Sequence, residues 1–429
     1  MTVPIRTNRD RPEAREAHET PHALYYREMR FLAIWLIAAS TVAAADWPQW
    51  GGPERNFRLP VEFQASGWPA AGPEQLWSRD LGDGYSSIVA ADGVLYTMYR
   101  KGSQDVVIAL DPASGKTVWE TAIDAPHASG MNVEAGPGPH STPLIVGGRI
   151  FVTTVIAHLA ALDRKTGKRL WTEDLWKRHN GNFLDRGYAS SPIAYKDTVI
   201  VPVGGPGRAL MAFGQNDGSV AWSKGDSQNS YSSPILIHAG DRDQLVSFMA
   251  KQVMAADPAT GEVLWSVGHQ TMYDINAATP AWCEQDGVLV VSSGYDGGAR
   301  GIEVGVTARE LWHQNRLRVH HGNMVCKDGV VYGSSGDFGP APLTALQAKT
   351  GEVLWQDRAF SKAAFVLAGD RLFATDDDGS VAIATISPKG LQVLAEAQLL
   401  QANSWTVPTI NGKRMFVRDR HKILALALE

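Results

Sequence analysis

The chain has 429 residues and a formal net charge of -5, with 44% hydrophobic and 20% charged residues. This balance excludes a disordered chain or a membrane-embedded one, and the mild acidic excess leaves no footprint for nucleic acid. The 42 glycines and 14 tryptophans suit many tight turns and large apolar wedges, which points to an all-β chain.

Residues 1–45 read as a signal or leader segment. Within it, "MRFLAIWLIAASTVAAA" (Met29 to Ala45) has a basic start, an apolar run and a small-residue end, the pattern of a secretory signal peptide. A retained anchor is the alternative, but the run is short for a membrane span. The polar stretch from Met1 to Glu28 makes Met29 the expected start, with an extended signal from Met1 as the other reading. Cleavage near Ala45 predicts a periplasmic or secreted protein whose mature chain has no stable membrane span. No cysteine follows the apolar run, so lipid attachment there is not supported.

Residues 46–429 read as one repeat domain. "ALDPASGKTVW" (Ala109 to Trp119) returns as "ALDRKTGKRLW" (Ala161 to Trp171), "AADPATGEVLW" (Ala255 to Trp265) and "ALQAKTGEVLW" (Ala345 to Trp355). Gly supplies a positive φ while Asp and Ser or Thr bond the turn backbone, so each copy predicts a hairpin, with its second strand ending at the tryptophan. Upstream of each hairpin stand a Ser/Thr-rich strand start, often with Pro, and a further strand. The unit is therefore four strands, A to D. The D-strand markers are Trp77, Trp119, Trp171, Trp222, Trp265, Trp312, Trp355 and, in degenerate form, Leu394. A period of about 40 to 50 residues in an all-β chain predicts a propeller, here of eight four-stranded antiparallel blades. The first marker lacks strands before it and the last three strands lack a D strand after them, so both termini should build the closing blade. The tryptophans are expected at the blade seams, in a structural role.

Cys283 and Cys326 are the two cysteines. Buried free thiols are the expected state, with a disulfide between neighbouring repeats as the alternative an exported protein allows. Adjacent His320 and His321 beside Asn323 do not make a metal site, because neighbours on a strand point to opposite faces and a metal needs three or four converging ligands. "DDDGS" (Asp376 to Ser380) reads as a turn between strands B and C.

In a propeller the A strands line the channel, and the D–A and B–C loops form the funnel face. Aligning the A-strand starts puts Tyr85, His140, Tyr231, His321 and Trp405 at one level, with Tyr188, Asn276 and His320 one residue earlier. This ring is the candidate binding site for a polar, planar or sugar-like ligand; the plain alternative is that it only plugs the channel. The long D–A connections "ASGMNVEAGPGPH" and "WKRHNGNFLDRGY" should overhang the funnel. Arg100, Lys101, Arg208, Lys251, Asp296, Arg300, Arg418 and Arg420 add charge to the B–C loops, by default as a solvated face.

The repeat Ala-x-Asp-x-x-Thr-Gly-x-x-x-Trp resembles that of the pyrroloquinoline-quinone (PQQ) propellers, in the quinoprotein alcohol dehydrogenase-like superfamily. The stretch "DWPQWGGPERN" (Asp46 to Asn56) is similar to the leader of PQQ-like secretory propellers. The resemblance covers nearly all of the mature chain and speaks for fold more than for function. An enzyme of this kind implies a stacking Trp, calcium held by Glu, Asn and Asp, an Asp base and often a disulfide of adjacent cysteines. The chain has neither an adjacent Cys pair nor a Cys-x-x-Cys-His haem motif. The leading expectation is therefore an exported binding or scaffold module for a protein partner or a polar small molecule, without metal or cofactor. A divergent dehydrogenase using PQQ and calcium is the second reading. Outer-membrane protein assembly, by analogy of fold, is the third.

Overall fold

The repeat motif explains its own geometry. The Asp111 carboxylate accepts the N–H groups of Ala113 and Ser114 at 3.1 and 2.8 Å, and Gly115 takes φ +66° to close the turn. The strands that follow put the marker tryptophan directly opposite the motif's small residue: Trp119 faces Ala109, Trp171 faces Ala161, Trp265 faces Ala255 and Trp355 faces Ala345. The strands do not end at the tryptophan as the repeat implied. Strand Thr117–Asp124 begins two residues before Trp119 and runs five beyond it, its side chains half-buried and exposed in turn.

The computed structural model describes residues 46–428 apart from 61–62, 64–66, 70, 337–338 and 340; the expected leader over 1–45 lies outside them. Eight blades of four antiparallel strands follow one another along the chain and form a propeller, and the seventh sheet gains a fifth, parallel strand. Blade 1 is Val89–Ala91, Val94–Lys101, Gln104–Leu110 and Thr117–Asp124, and the innermost strands of blades 2 to 7 are Leu144–Val146, Ile193–Tyr195, Ile235–Ala239, Ala281–Cys283, Met324–Lys327 and Ala364–Ala368. Blade 8 is built from both ends of the domain. Gln75–Asp80 pairs with Lys422–Ala427, placing Trp77 opposite Ala425 as in the internal blades.

The seams hold the ring. Except for Trp265, the marker indole N–H groups bond C–D turn carbonyls of the next blade: Trp77 to Pro112 and Trp119 to Arg164 at 3.0 Å, Trp171 to Gln215 at 3.1 Å, Trp312 to Ala348 at 2.8 Å. The turn glycine lies flat on that indole; a Cβ on Gly167 would stand 2.5 Å from Trp119. The Ser/Thr-Pro starts lace the inner strands together. Ser87 N–H donates to Thr142 Oγ1, Thr142 N–H to Ser191 Oγ and Ser191 N–H to Ser233 Oγ, at 2.9–3.0 Å across three successive seams. Between blades 5 and 6 the tie is covalent. Cys283 and Cys326 form a disulfide with Cα atoms 5.5 Å apart, which corrects the expectation of free thiols. Both sit on the innermost strands of adjacent blades, where a seam brings their Cβ atoms together.

The channel is not left open. Residues 47–59 thread its lower half. Trp47 bridges Ala90 of blade 1, Pro48 accepts the N–H of Ile145 in blade 2, and the Arg55 guanidinium donates to the carbonyls of Ser191 and Pro192 in blade 3. Trp50 reaches Thr279 of blade 5, Arg58 reaches the Cys326 carbonyl of blade 6, and Arg58–Leu59 pairs in parallel with the inner strand of blade 7. One segment thus bonds six of the eight blades.

Candidate functional site

Above the plug the funnel narrows to a cup of about 250 Å3. Its wall is a run of stacked rings. His140 lies over Tyr85 at 5.8 Å, Tyr85 over Trp405 at 5.0 Å, and Trp405 over His321 at 4.1 Å with planes 9° apart. The run continues through His320, tilted 52° from His321, and then edge-on to Tyr295 and Tyr273. Hydrogen bonds fix the rings from behind. The Tyr85 hydroxyl donates to the Ala135 carbonyl at 2.5 Å, the Tyr231 hydroxyl to Asp185 at 2.7 Å, and the Trp405 indole N–H to Asp377.

Six of the eight residues aligned from sequence line this cup: Tyr85, His140, Tyr231, His320, His321 and Trp405. Tyr188 and Asn276 are not brought to it. Tyr188 is buried with its hydroxyl on the Pro202 carbonyl, and the Asn276 amide is spent on the Met249 and Ala250 carbonyls. Both stand one residue earlier in the alignment, so they turn into the blade body. His320 and His321 break the rule used for them. They occupy a bend rather than a strand, so both rings turn into the cup with centroids 4.1 Å apart.

His140 and His321 are held in the neutral form. Burial pushes His140 down to about 4 and holds His321 well below the ordinary histidine range, where neighbouring His320 acts in the same direction. His140 Nε2 stands 3.0 Å from the Arg186 carbonyl, which can only accept, so Nε2 carries the proton and Nδ1 is an acceptor. Burial, then the bond to Asp185, raises the Tyr231 phenol, which stays protonated.

Sequence reasoning missed the floor, and at the mouth it placed the two long loops over the funnel without singling out the residues that line it. The floor is Trp50 of the plug, its indole N–H on Thr279 Oγ1 at 2.8 Å. The mouth is set by Asn132 and Arg186 from the two long D–A loops, which are tied together by the Asn132 N–H on the Asp185 carbonyl at 2.7 Å. The length of those loops was the signal for the mouth. The second tryptophan of "DWPQWGG", outside the repeat, was the signal for the floor.

Most of the B–C charges are engaged: Arg208 donates to the Asn180 and Pro206 carbonyls at 2.9 Å, whereas Lys101 and Asp296 stand exposed. Arg100 is buried against Asp105 at 2.8 Å, Lys251 lies 3.3 Å from Asp274, Arg300 pairs with Glu310, and Arg420 with Asp83. Arg418 is fully buried and donates to the carbonyls of Gly84, Ser86 and Met98, stapling blade 8 to blade 1. Asp376 to Ser380 forms the turn between strands B and C of blade 7, the Asp376 carboxylate accepting the Ser380 N–H at 2.9 Å. Among the described residues no three His, Cys, Asp or Glu side chains converge as metal ligands, and no helix is long and apolar enough to cross a membrane.

Comparison with known proteins adds relatives of two kinds. The family model PQQ_2, described as "Outer membrane protein assembly factor BamB", matches residues 69–235, 182–357 and 250–426. The BamB of Yersinia pestis is 24% identical over 343 residues, covering 74% of this chain and 81% of that one. A 1-butanol dehydrogenase (cytochrome c) of Thauera butanivorans is 28% identical over 178 residues, 40% of this chain; the match spans only 24% of the enzyme's length. Among solved structures, BamB from Moraxella catarrhalis superposes with a TM-score of 0.61 at 19% identity, over 83% of this chain and 99% of that one. The quinohemoprotein alcohol dehydrogenase of Comamonas testosteroni does so with a TM-score of 0.64 at 13% identity, over 90% and 80%. At such identities these structures speak for the fold alone.

Proposed function

The chain belongs to the PQQ_2 family described as outer membrane protein assembly factor BamB, and from that premise we propose that it is an exported binding module that seats a protein partner on its funnel face. The observation that carries this reading is the rim. Around the cup four large apolar side chains stand in solvent on three D–A loops: Val133 at 40% exposure, Phe183 at 45%, Met272 at 61% and Tyr273 at 58%. Tyr273 meets Tyr295 of the cup wall edge-on at 5.1 Å, so rim and cup are continuous. Apolar groups gathered around a concave aromatic site are the composition of a contact surface. A polar small molecule in the cup is the second use of the same face, supported by the neutral imidazoles and the hydroxyls of Ser191 and Ser233 in its lining. The seam disulfide supports export to an oxidising compartment, periplasmic or secreted, with the leader over 1–45 removed.

The quinone-and-calcium alternative is supported less well. The cup lining carries no carboxylate to hold calcium, and the lower channel is filled by the chain's own residues 47–59.

A photo-reactive residue placed at Phe183 or Tyr273 tests the reading. In a cell-envelope preparation these positions should give discrete adducts with an outer-membrane assembly component, whereas Val118 on the outer circumference, 55% exposed, should give none. Equal labelling at all three, or none at the funnel, overturns it.

A further inference from the structure

A second cavity, of about 390 Å3, opens at the opposite face, between the plug and the inner strands of blades 4 to 6. Blade 4 is singular there. Its inner strand, Ile235–Ala239, has five residues, and the other five-residue inner strand is Ala364–Ala368 of blade 7. The remaining inner strands have three or four. The blade 7 strand is long because it has a partner: Arg58–Leu59 adds to its channel edge, with the Leu367 N–H on the Phe57 carbonyl at 2.9 Å. The blade 4 strand is equally long, and the plug makes no such pairing with it.

Its open edge follows from the ladder. Ala239 and Arg242 flank a two-residue turn whose Gly240 and Asp241 both have positive φ, at +59° and +65°, so they form a hydrogen-bonded pair. Alternation along an antiparallel ladder then spends the backbone groups of Ala239, Ile237 and Ile235 on Arg242, Gln244 and Val246. The N–H and C=O groups of Leu236 and His238 point the other way, into the cavity. Glu54 and Glu284 stand exposed on its walls, outside any ion pair among the described residues.

We propose that the channel edge of Ile235–Ala239 is a strand-acceptor site for an extended segment of a partner polypeptide carrying basic side chains. The segment pairs its backbone with Leu236 and His238, as residues 57–59 pair with blade 7, and sets lysine or arginine against Glu54 and Glu284. Added strands draw affinity from main-chain bonds and specificity from alternate side chains. An unpaired edge is the feature such a segment reads. The site lies on the face away from the cup and does not depend on the funnel reading.

Residue-resolved amide exchange on the full chain tests this, with an end-blocked pentapeptide of alternating lysine and valine as probe. In the free protein the Leu236 and His238 amides should exchange about a hundredfold faster than those of Ile237 and Ala239. Saturating peptide should slow the first two at least about tenfold, while a glutamate-for-lysine peptide and a backbone N-methylated one should not. Leu236→Pro removes an N–H that the blade ladder does not use, and should abolish protection. If that variant fails to fold, Glu54→Lys with Glu284→Lys carries the test by weakening the lysine peptide. Leu236 and His238 amides already protected in the free chain, no change with peptide, or equal protection by the N-methylated peptide each overturn the proposal.

Discussion

His269 sits at the end of the outer strand of blade 4 with 1% of its surface exposed, and neither ring nitrogen has a hydrogen-bond partner among the described residues. Phe248 meets the ring edge-on at 5.0 Å, and Arg300 and His313 stand near enough to oppose a positive charge. Burial first, and then these two groups, lower its pKa to about 3. The unfolded chain, near 6.5, binds the proton more readily, so stability rises with pH between these values and is lost as pH falls below about 6.5. At pH 5 the loss from this residue amounts to ~2 kcal/mol, from 1.36 kcal/mol per pH unit. Urea unfolding of the wild type and His269→Leu at pH 7.5 and pH 5 checks this. The variant should show the smaller acid loss, whatever its stability at pH 7.5. An unchanged difference between the two pH values would mean that the ring is solvated or paired.

At the level of strands and turns, the seams were legible because their physics repeats. Every copy of Asp-x-x-Thr-Gly-x-x-x-Trp lays a glycine on the previous blade's indole, so one contact is written into the chain many times. The exceptions were not legible, because each is solved once. Blade 5 lacks the Thr-Gly turn, and there the Trp265 indole N–H turns to Gln244 of its own blade at 2.6 Å, while that amide bonds the Gly305 carbonyl of the next. The disulfide is a solution of the same kind. Its alignment to equivalent repeat positions was visible, but cysteine burial alone favours the free thiol, and the seam distance that decides the matter is tertiary. In the funnel, the common level of the A-strand starts was readable, whereas the bend at His320–His321 and the inward turn of Tyr188 and Asn276 depend on local backbone direction. Cross-linking the 43-residue separation should stabilise by about 4 kcal/mol in the chain-entropy account, with measured values typically 2–4. Cys283→Ala with Cys326→Ala should lower stability by ~2–4 kcal/mol in denaturant unfolding. Alkylation of the unreduced, unfolded wild type should label no thiol, and two labels per chain would refute the pairing.

For the whole molecule, closure of the ring and closure of the channel are separate devices made by adjacent stretches of chain. Residues 75–80 complete blade 8 and remove the open ends of the array, as full radial closure requires. Residues 47–59 add a spoke to six blades and convert a tunnel into a cup with one mouth, so anything bound above Trp50 enters and leaves by the funnel. The sequence marked this stretch only as a leader-like run, because it has no second copy to compare. Its hinge is Gly52, at φ +80°, where a Cβ would stand 2.6 Å from the Trp47 ring. Gly93, at φ +73°, has nothing within 4 Å of such a Cβ and reports the backbone cost alone. Gly93→Ala should therefore cost ~1 kcal/mol, and Gly52→Ala clearly more, by the ~1–3 kcal/mol expected of overpacking. The larger loss should come with a local signature. Limited proteolysis of Gly52→Ala should cut within residues 46–60 before the blades are attacked, because the segment is bound by single contacts to each blade and can leave while the tryptophan seams persist. Equal stability losses for the two variants, or cleavage in the blades first, would show that the plug is part of the ring's own cooperative unit and not a separate closure laid into it.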